Sequence, residues 1–150
     1  MSSPLKTRLQ DAVKDAMRSG DRTRLGTLRM IMAALKQREV DERVELSDAD
    51  VLAVLDKQVK QRRESEQQYR EAGRGDLADR EEAEIAVLAE FMPQPMSEAE
   101  LDQLIGAAIE STGAESMRDM GKVMAELKPK VQGRADMGQV SARVKARLGA

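Results

Sequence analysis

The apolar residues of this sequence recur at the spacing of an α-helix. Leu5, Leu9 and Val13 are four apart in the first of seven such segments, and the same period returns along most of the chain. Nowhere does the chain keep up the strict alternation of apolar and polar residues that a half-buried strand requires. The sequence therefore predicts an all-α, multihelical fold in which each helix buries one face.

A proline-containing break divides the predicted helices into a group of four and a group of three. Pro93 and Pro95 remove two backbone donors and force the residues before them into extended geometry. We therefore predict an N-terminal helical subdomain over residues 1–92 and a linker over residues 93–96. A smaller three-helix C-terminal subdomain is predicted over residues 97–150.

Two helix starts carry capping signals. Ser97 and Glu100 have the spacing of a full capping box, in which the serine caps the helix and the glutamate reaches back to the serine amide. At an earlier start Ser47 is the cap, and Asp50 partly replaces the glutamate. Both pairs predict helices that begin at these serines.

The composition limits what chemistry this chain can perform alone. It has no cysteine and no histidine, which excludes disulfides and thiolate catalysis and removes the commonest general base. The densest acidic group is Glu81, Glu82 and Glu84, whose side chains point different ways around a helix and are interpreted as a solvated face. We expect no cofactor and no metal, and catalysis by this chain alone is disfavoured.

The sequence also shows no sign of a secretory route or a membrane. Its first residues lack the apolar stretch of a secretion signal, and no apolar run approaches the roughly 18 residues that span a bilayer. We therefore predict a cytoplasmic protein without a membrane partner.

A net charge of −2 conceals strong segregation of the charged residues. Residues 75–119 hold twelve acidic and two basic side chains, whereas residues 120–150 hold seven basic and two acidic ones. Local positive surfaces of this kind are typical of contact with a phosphate backbone. In the C-terminal block Lys128, Lys130 and Arg134 flank a turn that we predict at Pro129.

A second basic stripe runs along the second predicted helix. Arg22, Arg29 and Lys36 are seven residues apart and therefore lie on nearly the same side of a helix. For both basic groups the alternative interpretation is a solvated face whose charges pair with acidic helices of the same molecule. The sequence alone leaves both interpretations open.

Three strings together resemble the GatB/YqeY family. They are Thr27 to Lys36 with Glu39 to Asp41, Phe91 to Leu101, and Met120 to Met124 followed by Lys128 to Asp136. They resemble, in order, the opening signature of that family, its mid-chain linker with the next helix start, and its C-terminal signature. The resemblance spans nearly the whole chain.

The resemblance implies a function in tRNA binding. Standalone members of this family are similar to the C-terminal tail of the GatB component of the tRNA-dependent amidotransferase, a tRNA-binding appendage that does not itself transfer the amide group. The implied partners are tRNA and an amidotransferase or aminoacyl-tRNA synthetase. The basic residues that the matching motifs place toward RNA are Lys122, Lys128, Lys130, Arg134 and Lys145.

Two other hypotheses remain beside tRNA binding. The first is a protein–protein adaptor or accessory subunit of a glutamine-dependent carbon–nitrogen ligase, with the charged end of the third predicted helix as its docking surface. The second is an enzyme of that ligase class, which the family association alone brings in. The sequence offers no nucleophile, phosphate-binding loop or metal-ligand set in its support.

Overall fold

A computed structural model describes residues 3–149 of the chain. Within this range the secondary structure is helical throughout, without a strand, so the all-α prediction is confirmed. A short 3₁₀ turn, Met117–Asp119, precedes the sixth α-helix. The α-helices are α1 Pro4–Ser19, α2 Arg22–Glu42, α3 Asp48–Glu71, α4 Gly75–Ala89, α5 Glu98–Thr112, α6 Met120–Val131 and α7 Met137–Leu148.

Contacts between residues divide the chain into two compact units, one ending at Met92 and the other beginning at Pro93. The first unit contains α1 to α4, and the second contains α5 to α7. Each unit has its own apolar core. The helices of each unit therefore close their own core.

The core of the first unit is aliphatic, with one aromatic side chain. Leu9, Ile31 and Leu55 are fully buried and represent the inward faces of α1, α2 and α3. Phe91 closes one edge of this core, where the Arg8 and Arg24 guanidinium groups lie 5.5 Å and 5.9 Å from the centre of its ring. Arg24 also forms an ion pair of 2.5 Å with Glu90. The end of α4 is thus held against α1 and α2.

The outer half of the α3–α4 hairpin has little apolar packing. Between residues 60 and 86, all of which the structure describes, the buried positions are Arg62 and Ala78. At the exposed end Arg70 contacts three carboxylates, those of Glu66 at 3.1 Å, Asp79 at 3.3 Å and Glu82 at 3.0 Å. Ionic contacts therefore join the two helices where few apolar side chains are buried.

The second unit packs three helices around one aliphatic cluster. Ile105 of α5, Leu127 of α6 and Val144 of α7 are fully buried and lie at its centre. The turn predicted at Pro129 is absent, because α6 continues through this residue to Val131. Pro129 removes one backbone hydrogen bond from α6, and the helix ends two residues later.

The two capping boxes differ. At the start of α3, Ser47 Oγ accepts a hydrogen bond from the Asp50 amide, and the Asp50 carboxylate accepts one from the Ser47 amide. At the start of α5, Ser97 Oγ accepts from the Glu100 amide, but Glu100 does not return the bond. The prediction of a full box at Ser97 is therefore wrong in its second half, because the Glu100 carboxylate binds Arg134 instead.

Candidate nucleic-acid interface

Helix α6 carries three of the predicted RNA-facing lysines, on different sides. Its buried residues Val123 and Leu127 fix which side faces the core. Lys122 and Lys130 are eight residues apart and so lie about 80° apart around the helix, whereas Lys128 and Lys130 point about 160° apart. The three ammonium groups therefore do not form a single patch on α6.

Lys122 and Lys130 each lie near one carboxylate. Lys122 Nζ is 3.9 Å from Asp119 Oδ1, and Lys130 Nζ is 3.9 Å from Glu126 Oε1. Both contacts are long, and the lysine side chains are 70% and 51% exposed. Exposed ion pairs of this kind contribute little, so both ammonium groups remain available to another anion.

Asp119 stays ionised over a wide pH range. Its carboxylate accepts hydrogen bonds from the amides of Glu115, at 2.9 Å, and Ser116, at 3.4 Å. These two backbone donors, with a smaller contribution from Lys122, hold the pKa of Asp119 below its ordinary value. The negative charge beside Lys122 is therefore permanent at neutral pH.

Lys128 and Lys145 are the freest cations of the predicted set. Both side chains are exposed, and neither has an ion-pair partner within residues 3–149. Lys145 follows the buried Val144 on α7, so the helix itself turns its ammonium group away from the core. Both positions can approach a phosphate without first breaking an internal contact.

Arg134, by contrast, is occupied by the protein. Its guanidinium donates two hydrogen bonds of 3.2 Å to the carboxylate of Glu100 and one of 3.0 Å to the carbonyl oxygen of Gln94. Its own carbonyl oxygen accepts a bond of 2.9 Å from the Met96 amide. Only 29% of the side chain is exposed. The family resemblance predicted that Arg134 contacts RNA, whereas in the structure its guanidinium binds Glu100 in the first turn of α5.

The two arginines of α7, Arg143 and Arg147, are also engaged by α5. Arg143 forms ion pairs of 3.2 Å with Glu98 and 2.8 Å with Asp102. Arg147 donates a bond of 3.1 Å to the carbonyl oxygen of Asp102 and lies against Gly106, where a Cβ atom would meet its guanidinium at 3.3 Å. Helix α5 therefore holds Arg134, Arg143 and Arg147, the first two through its carboxylates, and in the described part of the chain pairs with none of the four lysines of this unit.

The basic stripe of α2 is exposed along its whole length. Arg22, Arg29 and Lys36 have no ion-pair partner in the part of the chain that the structure describes. The nearby carboxylates are taken by other cations. Glu39 pairs with Lys6 at 2.5 Å, and Glu42 pairs with Arg38 at 2.6 Å. The alternative of internal pairing therefore does not hold for this stripe.

The structure also reveals a buried arginine that sequence reasoning missed. Arg62 of α3 lies in the first unit, where its guanidinium donates to Glu84 at 3.0 Å and to the Gln58 side chain at 2.7 Å. The helical spacing could have predicted this burial, because residue 62 continues the inward face that Val51, Leu55 and Val59 define. Its buried charge serves the α3–α4 contact.

The described residues offer little else that could support catalysis or a metal. Among residues 3–149 no group of three or more acidic, histidine or cysteine side chains could hold a metal ion. No helix in this range is long and apolar enough to cross a membrane. A groove of about 550 Å³ between α2 and α3 is lined mainly by long polar side chains, among them Arg38, Glu42 and Lys57.

Known proteins resemble this chain along most of its length. "Altered inheritance of mitochondria protein 41, mitochondrial" of Pyrenophora tritici-repentis is 32% identical over 146 residues, which cover 95% of this chain and 80% of that protein. The protein of the same name from Lachancea thermotolerans is 34% identical over 99 residues, which cover 63% of this chain and 52% of that protein.

The names of these relatives correct one prediction. Both proteins are named as mitochondrial, which contradicts the cytoplasmic location predicted from the sequence. That prediction is wrong because it rested on the absence of an apolar secretion signal. Mitochondrial transit peptides are amphipathic and rich in arginine, so this criterion does not detect them.

The family comparison confirms the resemblance drawn from the three motifs. The model of the family described as "Yqey-like protein" matches residues 6–148, which include every helix core residue from Leu9 to Leu148. With a match of this extent and a relative above 30% identity, the chain belongs to the YqeY-like protein family.

Proposed function

We propose that this protein binds tRNA through contacts between the exposed lysines of its second unit and RNA phosphates. The proposal rests on a difference between the arginines and the lysines of this unit. Arg134, Arg143 and Arg147 are held by α5, whereas Lys128 and Lys145 are exposed and unpaired within residues 3–149. Lys122 and Lys130 complete the set with long, exposed pairs.

The chemistry of the surface favours phosphates over bases. Recognition of unstacked bases uses exposed aromatic rings, but the second unit has none. The chain has no tryptophan, its one phenylalanine, Phe91, is buried, and its one tyrosine, Tyr69, lies half-buried on α3 of the first unit. Lysine ammonium groups act on phosphates as flexible point charges. The bound RNA is therefore selected by its folded shape and charge.

In this proposal the protein acts as an accessory to an enzyme that works on tRNA. The partner is an amidotransferase or an aminoacyl-tRNA synthetase, and the amide chemistry belongs to that enzyme. The support is family membership together with the similarity of the family to the amidotransferase tail.

The test is a titration of the full-length protein with total tRNA at several salt concentrations. Four phosphate contacts give a slope of log affinity against log salt of about −3.6. The test variant carries Lys122→Gln, Lys128→Gln, Lys130→Gln and Lys145→Gln. The control carries Lys14→Gln, Lys57→Gln, Lys60→Gln and Arg63→Gln, which neutralise four exposed cations of the first unit.

The expected result is near-complete loss of the salt slope in the test variant and an unchanged slope in the control. Both variants should keep the helical circular dichroism of the wild type, because all the substituted side chains are exposed. Equal losses in the two variants, or wild-type binding that does not depend on salt, would overturn the proposal.

A further inference from the structure

We infer that the outward face of α2 docks an acidic amphipathic helix of a protein partner. We call this surface the α2 face and define it by Arg22, Gly26, Arg29, Ala33, Lys36 and Val40. At 100° per residue these six positions fall within an arc of about 80°. The core residues Leu28, Ile31 and Leu35 lie on the opposite side of the helix.

The α2 face carries three unpaired cations and is therefore suited to an anionic partner. Arg22, Arg29 and Lys36 follow one another at intervals of about 10.5 Å along the helix, and all three lack an ion-pair partner within residues 3–149. An acidic helix with carboxylates seven residues apart has the same repeat. Such a helix could therefore meet all three cations at once.

The apolar content of the α2 face favours a helix over a nucleic acid. Val40 is 59% exposed and lies in line with the cations. Met30 lies outside the face, and its sulfur accepts a hydrogen bond of 3.9 Å from Arg62. Phosphate contact requires charge and hydrogen-bond donors but gains nothing from aliphatic side chains. A protein helix would bury the Val40 side chain while its carboxylates pair with the cations.

Gly26 is the most specific feature of the face. It lies inside α2, has no positive φ, and a Cβ atom built there meets nothing within 4 Å. A glycine inside a helix costs about 1 kcal/mol relative to alanine, and the packing of this chain gives no reason for it. A missing side chain at this point lets the backbone of a docked helix approach closely.

The test uses a synthetic helical peptide of four heptads, with glutamate at one heptad position and leucine and alanine beside it. The control peptide has glutamine in place of each glutamate. Binding to the full-length protein is measured by fluorescence anisotropy. The expected result is salt-sensitive binding of the glutamate peptide that falls at least tenfold with Arg22→Gln, Arg29→Gln and Lys36→Gln together.

The variant Gly26→Leu separates docking from folding. It should leave the midpoint of thermal unfolding equal or higher, since the added side chain meets open space, yet weaken peptide binding at least tenfold. The four lysine substitutions in the second unit should leave peptide binding unchanged, so this result is distinct from the tRNA test.

Three outcomes would overturn the inference. Equal binding of the glutamate and glutamine peptides would exclude charge recognition. Loss of tRNA affinity in the triple variant of the α2 face, with no binding of the peptide, would make the face an RNA contact. Self-association of the wild type in sedimentation, abolished in the triple variant, would make the occupant a second copy of this chain.

Discussion

The guanidinium of Arg134 forks onto the carboxylate of Glu100, with both pairs of nitrogen and oxygen atoms 3.2 Å apart. This contact joins the loop between α6 and α7 to the first turn of α5. It also diverts Glu100 from the Ser97 capping box. This one ion pair therefore explains two differences from the sequence-based predictions. Arg134 binds Glu100 instead of remaining free for RNA, and Glu100 does not complete the capping box.

We expect Arg134→Gln to destabilise the protein while leaving the salt slope of tRNA binding unchanged. A forked, half-exposed ion pair contributes about 1 kcal/mol, and the bond to the Gln94 carbonyl oxygen is lost as well. Urea unfolding of Arg134→Gln, Glu100→Gln and the double variant measures the coupling. Additive losses would show that the pair contributes nothing.

We expect Glu126→Gln to raise tRNA affinity about two- to fivefold at low salt, since a surface charge contact contributes up to about 1 kcal/mol. Glu126 lies four residues from both Lys122 and Lys130 and competes with phosphate for the Lys130 ammonium group. The matched control is Glu110→Gln, an exposed glutamate on α5. A gain as large in the control would mean that overall charge, not this position, governs binding.

We expect Gly133→Ala to destabilise the second unit by about 1–2 kcal/mol, the cost of placing a side chain in left-handed backbone. Gly133 has a φ of +77° between α6 and α7. Gly26→Ala is the contrasting variant, because its helical backbone accepts alanine and should gain up to about 1 kcal/mol. Thermal or urea unfolding compares the two, and shifts in the same direction would contradict this account.

We expect Glu81→Gln to stabilise the protein at neutral pH but not in acid. Burial raises the pKa of Glu81, and the charge of Glu84 adds to the effect. A carboxyl whose pKa is raised on folding penalises the folded state above that pKa, and the penalty vanishes below its unfolded value, about 4.3. Unfolding measured at pH 7 and pH 4 should show the gain at pH 7 alone. A gain of equal size at both pH values would point to packing.

Local patterns in the sequence were enough to predict the helices, because periodicity and caps act within a few residues. Leu5 and Leu9 are buried, and Ser47 and Ser97 cap α3 and α5 as predicted, although Glu100 does not complete the box at Ser97. The state of each cation depends on distant partners. Arg134 meets Glu100 across 34 residues and Arg143 meets Asp102 across 41, which no local pattern reveals.

The basic stripe of α2 is a second case in which the sequence predicted the positions of the cations but not their pairing. Its spacing was readable from the sequence, but whether Arg22 and Arg29 were paired internally was not. The structure settles this point because neighbouring cations take the available carboxylates, as Lys6 takes Glu39. The turn predicted at Pro129 was wrong, because α6 continues through this residue and ends at Val131.

The exposed ion pairs at the end of the α3–α4 hairpin indicate that an insertion would be tolerated there. Arg70, Asp79 and Glu82 are solvent-exposed and Glu66 is partly exposed, so little folding energy depends on the connection around Gly73 beyond them. A peptide tag or a small inserted domain at Gly73 should leave both apolar cores intact. This connection is therefore a natural attachment point for a fluorophore or affinity handle that reports on binding elsewhere in the protein.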